Sequence, residues 1–257
     1  LYGGSAGGGK SYAMLSDPLR YMGHPAFSGL LLRHTTEELR ELVFKSQELY
    51  PKIWPGIKWS ERKMQWTAPS GARLWMSYLD RDDDVLRYQG LAFSWIGFDE
   101  LTQWATPYAW NYMRSRLRST AADLPIYMRA TTNPGGRGHH WVKKMFIDPA
   151  PYNRAYDATD IETGEVLRYP AGHAKAGRPL YKRRFIPARL SDNPYLAESG
   201  DYEAMLLSMP EQQRRQLLDG DWDIKEGAAF TEFDRNIHVI EPFDIPNNWV
   251  KFRACDY

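Results

Sequence analysis

The run Gly4-Ser5-Ala6-Gly7-Gly8-Gly9-Lys10-Ser11 constrains this chain more than any other feature. It satisfies G-x-x-x-x-G-K-S in full, and the pattern needs each residue type for a physical reason. The glycines let successive backbone N–H groups turn inward around phosphate oxygens. Lys10 brings a positive charge to the β- and γ-phosphates, and Ser11 offers a hydroxyl to Mg²⁺. A helix opening at the end of such a loop directs its positive N-terminal end at the same anion. Leu1-Tyr2 reads as the end of a strand and Ser11 to about Tyr21 as a helix, so the motif sits in the strand, loop, helix setting that distinguishes it from a glycine-rich linker.

The same alternation continues along the chain. Gly29 to Arg33 is a short apolar run of buried-strand type, and Thr35-Thr36-Glu37-Glu38 announces a helix to about Tyr50 through a Thr cap and an acidic first turn. Residues 63–67 and 73–79 alternate around Pro69-Ser70-Gly71 and predict a hairpin at a sheet edge or flank. Phe93 to Phe98 predicts a buried strand ending in Asp99-Glu100, Pro107 to Arg118 a helix, and Ile126 to Thr131 a further strand closed by Asn133-Pro134-Gly135-Gly136. Repeated strand-helix units predict an α/β fold of P-loop NTPase type, with a mostly parallel central sheet flanked by helices. Beyond Gly138 the regularity falls away; residues 148–180 are rich in Pro, Gly and polar groups, and Asp201 to Leu218 carries helical spacing. The expected organisation is an ATPase core over 1–138 and a small lid or linker subdomain over 139–235.

A phosphate-binding loop of this kind works with a carboxylate at the end of a neighbouring strand for the metal, and a second group to polarise the attacking water. Asp99 and Glu100 fit those roles. Asp80, at the end of the strand from Arg73, is a rival, but the strand before Asp99 is the more continuously apolar, as a central strand should be. Asp82 to Asp84 reads as a solvated turn. Thr131-Thr132-Asn133 ends the next strand, where polar side chains would meet the γ-phosphate or its water.

The remaining composition mostly excludes. A formal net charge of +1 leaves no uniformly basic surface, so nucleic-acid contact would fall to Lys143-Lys144, Lys182-Arg183-Arg184 or Arg214-Arg215. A single cysteine, Cys255, excludes an internal disulfide framework and a cysteine-based zinc site. The histidines, among them His139-His140, show no metal-ligand spacing, and Trp54, Trp59, Trp66 and Trp75 read as packing residues. No stretch approaches the roughly 20 unbroken apolar residues of a membrane helix. The chain opens at Leu1 without an initiator Met or a leader and is read as a piece of a longer one.

Taken together, these residues resemble the large terminase subunits of tailed bacteriophages. The resemblance rests on residues 3–11 as Walker A, Trp95 to Glu100 as Walker B with its catalytic Glu, and Thr131 to Pro134 as the coupling motif. Leu218-Asp219-Gly220-Asp221-Trp222 and Gly227-Ala228-Ala229-Phe230 look like that family's passage from ATPase to nuclease. Arg253 to Tyr257 resembles the first strand of its RNase H-like nuclease, with Asp256 as the first metal-binding carboxylate of an incomplete site, which would make 236–257 the start of that truncated domain. The resemblance implies an ATP- and Mg²⁺-dependent motor that moves double-stranded DNA into a procapsid. It would work as a homo-oligomeric ring with the portal protein and the small terminase subunit, in the host cytoplasm and away from any membrane. It also implies an arginine finger from a neighbouring subunit, for which Arg87 is the first candidate, with Arg33 as a sensor after the second strand. One departure is that the P-loop itself carries no arginine. The alternative is another P-loop DNA-translocating ATPase of helicase or partition type. A helicase should carry a second RecA-like domain, which residues 139–257 do not offer.

Overall fold

Parallel sheets buried on both faces read as continuous apolar strands, and the centre of this molecule has that character. The computed structural model describes residues 1–198 and 200–224, with Pro246 and Trp249 beyond them. Contacts divide the chain into two units, residues 225–257 and the main unit, residues 1–224. Its elements run β1 (Tyr2–Gly4), α1 (Lys10–Ser16), β2 (Ser28–Arg33), α2 (Thr36–Ile53), β3 (Lys58–Ser60), β4 (Gln65–Thr67), β5 (Arg73–Tyr78) and β6 (Trp95–Phe98). There follow α3 (Tyr108–Arg114), β7 (Tyr127–Thr132), α4 (His139–Val142), β8 (Ala155–Asp157), β9 (Lys182–Arg184), β10 (Ile186–Ala188), α5 (Pro194–Ala197), α6 (Asp201–Leu207) and α7 (Glu211–Arg214).

One eight-stranded sheet takes the order β10-β1-β7-β6-β2-β5-β4-β3. All neighbours from β10 to β5 pair in parallel, while β4 and β3 close one edge antiparallel. Leu30 and Leu32 of β2 join Ile96, Phe98, Trp110 and Phe146 in the core on one face; Leu31 joins Met14, Leu39, Met76 and Trp95 on the other. That alternation explains why three consecutive leucines are all fully buried. The second core is closed by α2, whose Leu39, Leu42, Val43, Ser46 and Tyr50 fall on one face at helical spacing. A capping box fixes its start: Glu38 N–H donates to Thr35 Oγ1 at 3.3 Å and Thr35 N–H to Glu38 Oε2 at 3.3 Å.

Three local readings change. Strand β5 pairs with β4 as the predicted hairpin, but it also pairs along its whole length with β2, so only β3 and β4 form the edge. The helix after the P-loop ends at Ser16 and tightens into a 3₁₀ turn over Asp17–Tyr21, with Pro18 near the start of that turn. The segment 201–218 breaks at Pro210, which lacks the N–H a continuous helix requires, giving α6, α7 and a π-type turn at Arg215–Asp219. Strand β10 lies in the segment expected to act as a lid, yet it extends the main sheet beside β1. Among the described residues no helix is long and apolar enough to cross a membrane.

Candidate functional site

In an open parallel sheet the crevice outside the carboxyl ends of the strands, where the chain order reverses, is the natural ligand site. Here that edge carries Gly4 to Ser11 after β1, Thr131 to Asn133 at the end of β7, Asp99-Glu100 after β6 and Arg33 at the end of β2. Segments remote in sequence therefore meet because β1, β7, β6 and β2 are neighbours in that order. The acid pair does not sit on the strand next to the P-loop, since β7 with the Thr-Thr-Asn turn lies between them.

The loop has the shape of a phosphate cradle. Gly7 and Gly9 both hold φ of 75°, a conformation that side chains strain, and Gly9 is the residue from which α1 starts. A Cβ on Gly9 would meet nothing within 4 Å, so open space lies beside this turn. Lys10 is buried and donates from Nζ to Ser5 O at 2.5 Å. Burial lowers its pKa, and the charges of Glu100 and then Asp99 offset that effect. Ser11 lies half-buried on the first turn of α1.

Asp99 is fully buried. Its Oδ1 accepts a hydrogen bond from Thr131 Oγ1, and its Oδ2 lies 3.2 Å from Arg33 Nε without hydrogen-bond alignment. Burial raises its carboxyl pKa, while Arg33 and then the Thr131 hydrogen bond pull it down. Glu100 adopts the left-handed region at φ 57°, a conformation a non-glycine residue keeps only where its surroundings enforce it. Its carboxyl pKa is raised by burial first and by Asp99 second, against Lys10, Arg33 and a hydrogen bond from the Asn133 backbone amide. The Thr131 hydroxyl on Asp99 joins the acid pair directly to the end of β7.

Thr102 was not singled out in the sequence, and no local signal marks it. Its N–H donates to Thr132 Oγ1 at 3.2 Å, its hydroxyl lies 2.7 Å from Thr132 Oγ1, and it donates to Asn133 O at 3.2 Å. Thr131 and Thr132 are fully buried, and Asn133 holds a buried side-chain oxygen without a hydrogen-bond partner among the described residues. Such an oxygen is costly to leave unmade and suits a site that a water or ligand completes.

Residues far down the chain enclose the loop. Ser5 N–H and Oγ both donate to Ala188 O, Ala6 N–H to Leu217 O at 2.6 Å, and Asn193 Nδ2 to Gly7 O at 2.7 Å. A Cβ on Gly7 would come within 2.8 Å of Leu190 and Tyr202. The same segment grips the turn after β7: Gln216 Nε2 donates to Pro134 O at 2.7 Å, and His139 stacks on Trp222 while accepting from Gly135 N–H at 2.8 Å.

Other predicted residues fall elsewhere. Arg87 lies on the 3₁₀ turn Asp82–Tyr88 that follows β5, and β5 is four strand positions from β1, roughly 19 Å at the usual strand spacing of about 4.8 Å. It donates to Tyr78 O at 2.7 Å and Asp84 O at 3.2 Å and lies 5.3 Å over the Tyr78 ring. Asp80 stays exposed, with Asp84 capping its backbone amide. Of the basic clusters, Lys143 pairs with Asp148 and Asp223, Lys182 with Asp157 and Arg215 with Asp221, while Arg183 is buried. Asp256, Gly227 to Phe230 and Arg253 to Tyr257 lie outside the described residues. Among the described residues no group of His, Cys, Asp and Glu gathers into a metal site of protein ligands alone.

A P-loop on a parallel sheet, facing an acid pair and a polar turn across one crevice, defines a nucleotide-binding α/β protein of the P-loop class. Residues 1–237 match the family model of the large terminase subunit, T4-like-virus type, N-terminal. The chain belongs to that family. It is similar in fold to solved structures of the large terminase from a thermophilic bacteriophage. One structure aligns with TM-score 0.60 at 16% identity, covering 96% of this chain and 53% of that one. The complex of the same terminase with ADP aligns at 0.59 and 16%, covering 95% and 53%. Its complex with ATP-γ-S aligns at 0.59 and 16%, covering 95% and 52%. This chain thus spans about half the length of those structures. No curated protein sequence matches it.

Proposed function

We propose that this chain is the ATP-hydrolysing part of a viral DNA-packaging motor. The observation that carries the reading is the convergence of the Gly4 to Ser11 cradle, Asp99-Glu100 and the Thr131 to Asn133 turn at one sheet edge. Family membership supports the packaging role, and the ADP and ATP-γ-S complexes of the thermophilic phage's terminase support the choice of nucleotide.

The residues present fit a magnesium-bound triphosphate. Asp99 Oδ2 is a buried carboxylate oxygen with no hydrogen bond of its own, and open space beside Gly9 adjoins Lys10 and Ser11. Ser11 and Asp99 would hold Mg²⁺, which when bound offsets phosphate charge and orients the γ-phosphate. Lys10 would leave Ser5 O for the phosphates and offset the charge that develops on the γ-phosphate oxygens. Glu100, with its carboxyl pKa raised, is the better base for it and would orient or deprotonate the attacking water. Thr131, Thr132 and Asn133, tied to Asp99 through the Thr131 hydroxyl, would pass the loss of the γ-phosphate to the rest of the molecule.

Residues 139–235 are proposed as the lid and linker and 1–138 as the catalytic core. Support comes from the bonds of Ala188, Asn193 and Leu217 to the P-loop and of Gln216 to Pro134. In the assembled motor Arg87 would act in a neighbour's site. Its distance from the chain's own P-loop agrees with that role. Double-stranded DNA, the portal protein and the small terminase subunit are the proposed partners, in the host cytoplasm. The segment from 236, with Asp256, would begin a nuclease domain. Two-metal cleavage needs several carboxylates, so this chain alone is expected not to cut DNA. Replacement of Lys10 by Ala tests the site: steady-state hydrolysis should fall to background, and an undiminished rate would refute the assignment.

A further inference from the structure

At the end of the sheet away from the catalytic edge lies a cavity of about 720 Å³. It is bordered by the first residues of β1, β7 and β10, namely Tyr2, Tyr127 and Ile186. Small-molecule sites span about 300–1,000 Å³, so the volume suits one. Trp110 and Arg114, four apart and therefore on one face of α3, line it together. Strand β9 contributes Lys182-Arg183-Arg184, whose middle residue is buried while its neighbours are exposed, as strand alternation requires. With Arg129 the wall carries five cations and, among the described residues, no carboxylate. Arg129 pairs with Asp17 at 3.1 Å and Lys182 with Asp157 at 3.7 Å. Arg114 and Arg183 have no carboxylate partner among the described residues. Both face the Tyr181 ring, their guanidinium carbons 3.8 and 5.5 Å from its centroid. Burial first, and the charge of Arg183 second, lower the pKa of Arg114 to about 10. Arg183 is only 7% exposed; it donates from Nη1 to Thr159 O at 2.8 Å and from Nη2 to the Tyr181 hydroxyl at 3.1 Å. Its Nε has no hydrogen-bond partner among the described residues. A cation suits the last turn of a helix, which accounts for Arg114 at the end of α3. It does not account for a second, buried guanidinium beside it without a counter-charge, an arrangement that is costly unless an anion completes it.

We propose that this cavity binds a small organic phosphate, its phosphate taken by Arg114 with the charge of Arg183 behind it, and its apolar body by Trp110, Leu117, Ile126 and Phe146. A guanidinium fork matches the geometry of phosphate oxygens, and the aromatic and aliphatic wall matches a planar apolar group. The site is separate from the P-loop and has no part in the hydrolysis described above.

The test is calorimetric titration of the protein with naphthyl phosphate, inorganic phosphate and naphthol in turn. Naphthyl phosphate should bind about 10-fold or more tightly than either of the others, because charge and apolar body each contribute. Arg114→Met keeps an apolar stem against Tyr181 and removes the charge. Its affinity for naphthyl phosphate should fall about 10-fold or more, with a melting temperature close to that of wild type showing that it folds. Arg114→Lys, which restores the charge without the fork, should recover part of the loss. Saturating ATP-γ-S with Mg²⁺ should leave the affinity for naphthyl phosphate within about 3-fold. Displacement by ATP-γ-S would place the probe in the P-loop and overturn the proposal. No binding at millimolar naphthyl phosphate, equal binding of naphthol, or undiminished binding by Arg114→Met would overturn it as well, leaving Arg114 and Arg183 as cations that only pack against Tyr181.

Discussion

At the residue level the chemistry is concentrated in side chains whose burial is tolerable only because a partner is supplied. Asp99 is the clearest case. Its carboxylate is held by Thr131 and Arg33 in a fully buried position. Thr131→Val keeps the shape but removes a hydrogen bond to a charged group, at a cost of about 1.5–3 kcal/mol. For a chain of this size that corresponds to a drop in melting temperature of about 3–10 °C, and Thr131→Ser should restore most of it. Equal melting temperatures for the valine and serine variants would show that this bond does not hold Asp99. Walker A and the Asp99-Glu100 pair were legible in the sequence, because those residues are contiguous and their types are dictated by phosphate and metal chemistry. Thr102 was not, since its meeting with Thr132 depends on β6 and β7 lying side by side.

At the level of elements, the P-loop is shaped from outside as much as by its own glycines. Asn193, just before α5, reaches Gly7, and Gln216, after α7, reaches the Pro134 carbonyl. Removing Asn193 by Asn193→Ala should weaken ATP-γ-S binding about 5- to 10-fold, each lost hydrogen bond contributing about 1 kcal/mol, with little effect on melting. Gln216→Ala should leave nucleotide affinity unchanged within about 2-fold but reduce turnover, because its contact is with the turn after β7 and not with the loop. If both variants lost affinity and turnover alike, the two contacts would not have separate roles. None of this was readable from local pattern. The alternation of strands and helices up to Gly138 follows from burial on two faces, but β10 is three residues flanked by irregular chain, and its place beside β1 comes from a pairing across more than 180 positions. The position of β5 was misjudged for a related reason. Its alternating pattern describes a half-exposed strand, and Arg73 is indeed exposed while Leu74 and Met76 are buried, but the backbone pairs with β2 on one side and β4 on the other.

At the level of the whole molecule, the P-loop and Arg87 stand at separated positions along the same sheet edge. A head-to-tail arrangement of identical subunits would bring one subunit's Arg87 to the next one's phosphate cradle, which is the heterologous contact that builds rings. An arginine in that role is worth about 10³–10⁵ in rate. Arg87→Ala and Lys10→Ala should each be inactive alone, yet regain part of the activity when mixed, since a mixed interface can pair an intact loop with an intact arginine. No recovery at any mixing ratio would argue that Arg87 does not act across subunits.

In the proposed mechanism Glu100, next to Asp99 at the head of the crevice, activates the attacking water. The most direct test of that role is the ATP hydrolysis rate per subunit of wild type and Glu100→Gln over a range of protein concentrations, with and without double-stranded DNA. The expected result is a wild-type rate per subunit that rises with concentration and with DNA, and a fall of about 100-fold or more in the variant with ATP-γ-S binding retained. A variant that hydrolyses ATP at the wild-type rate would contradict it.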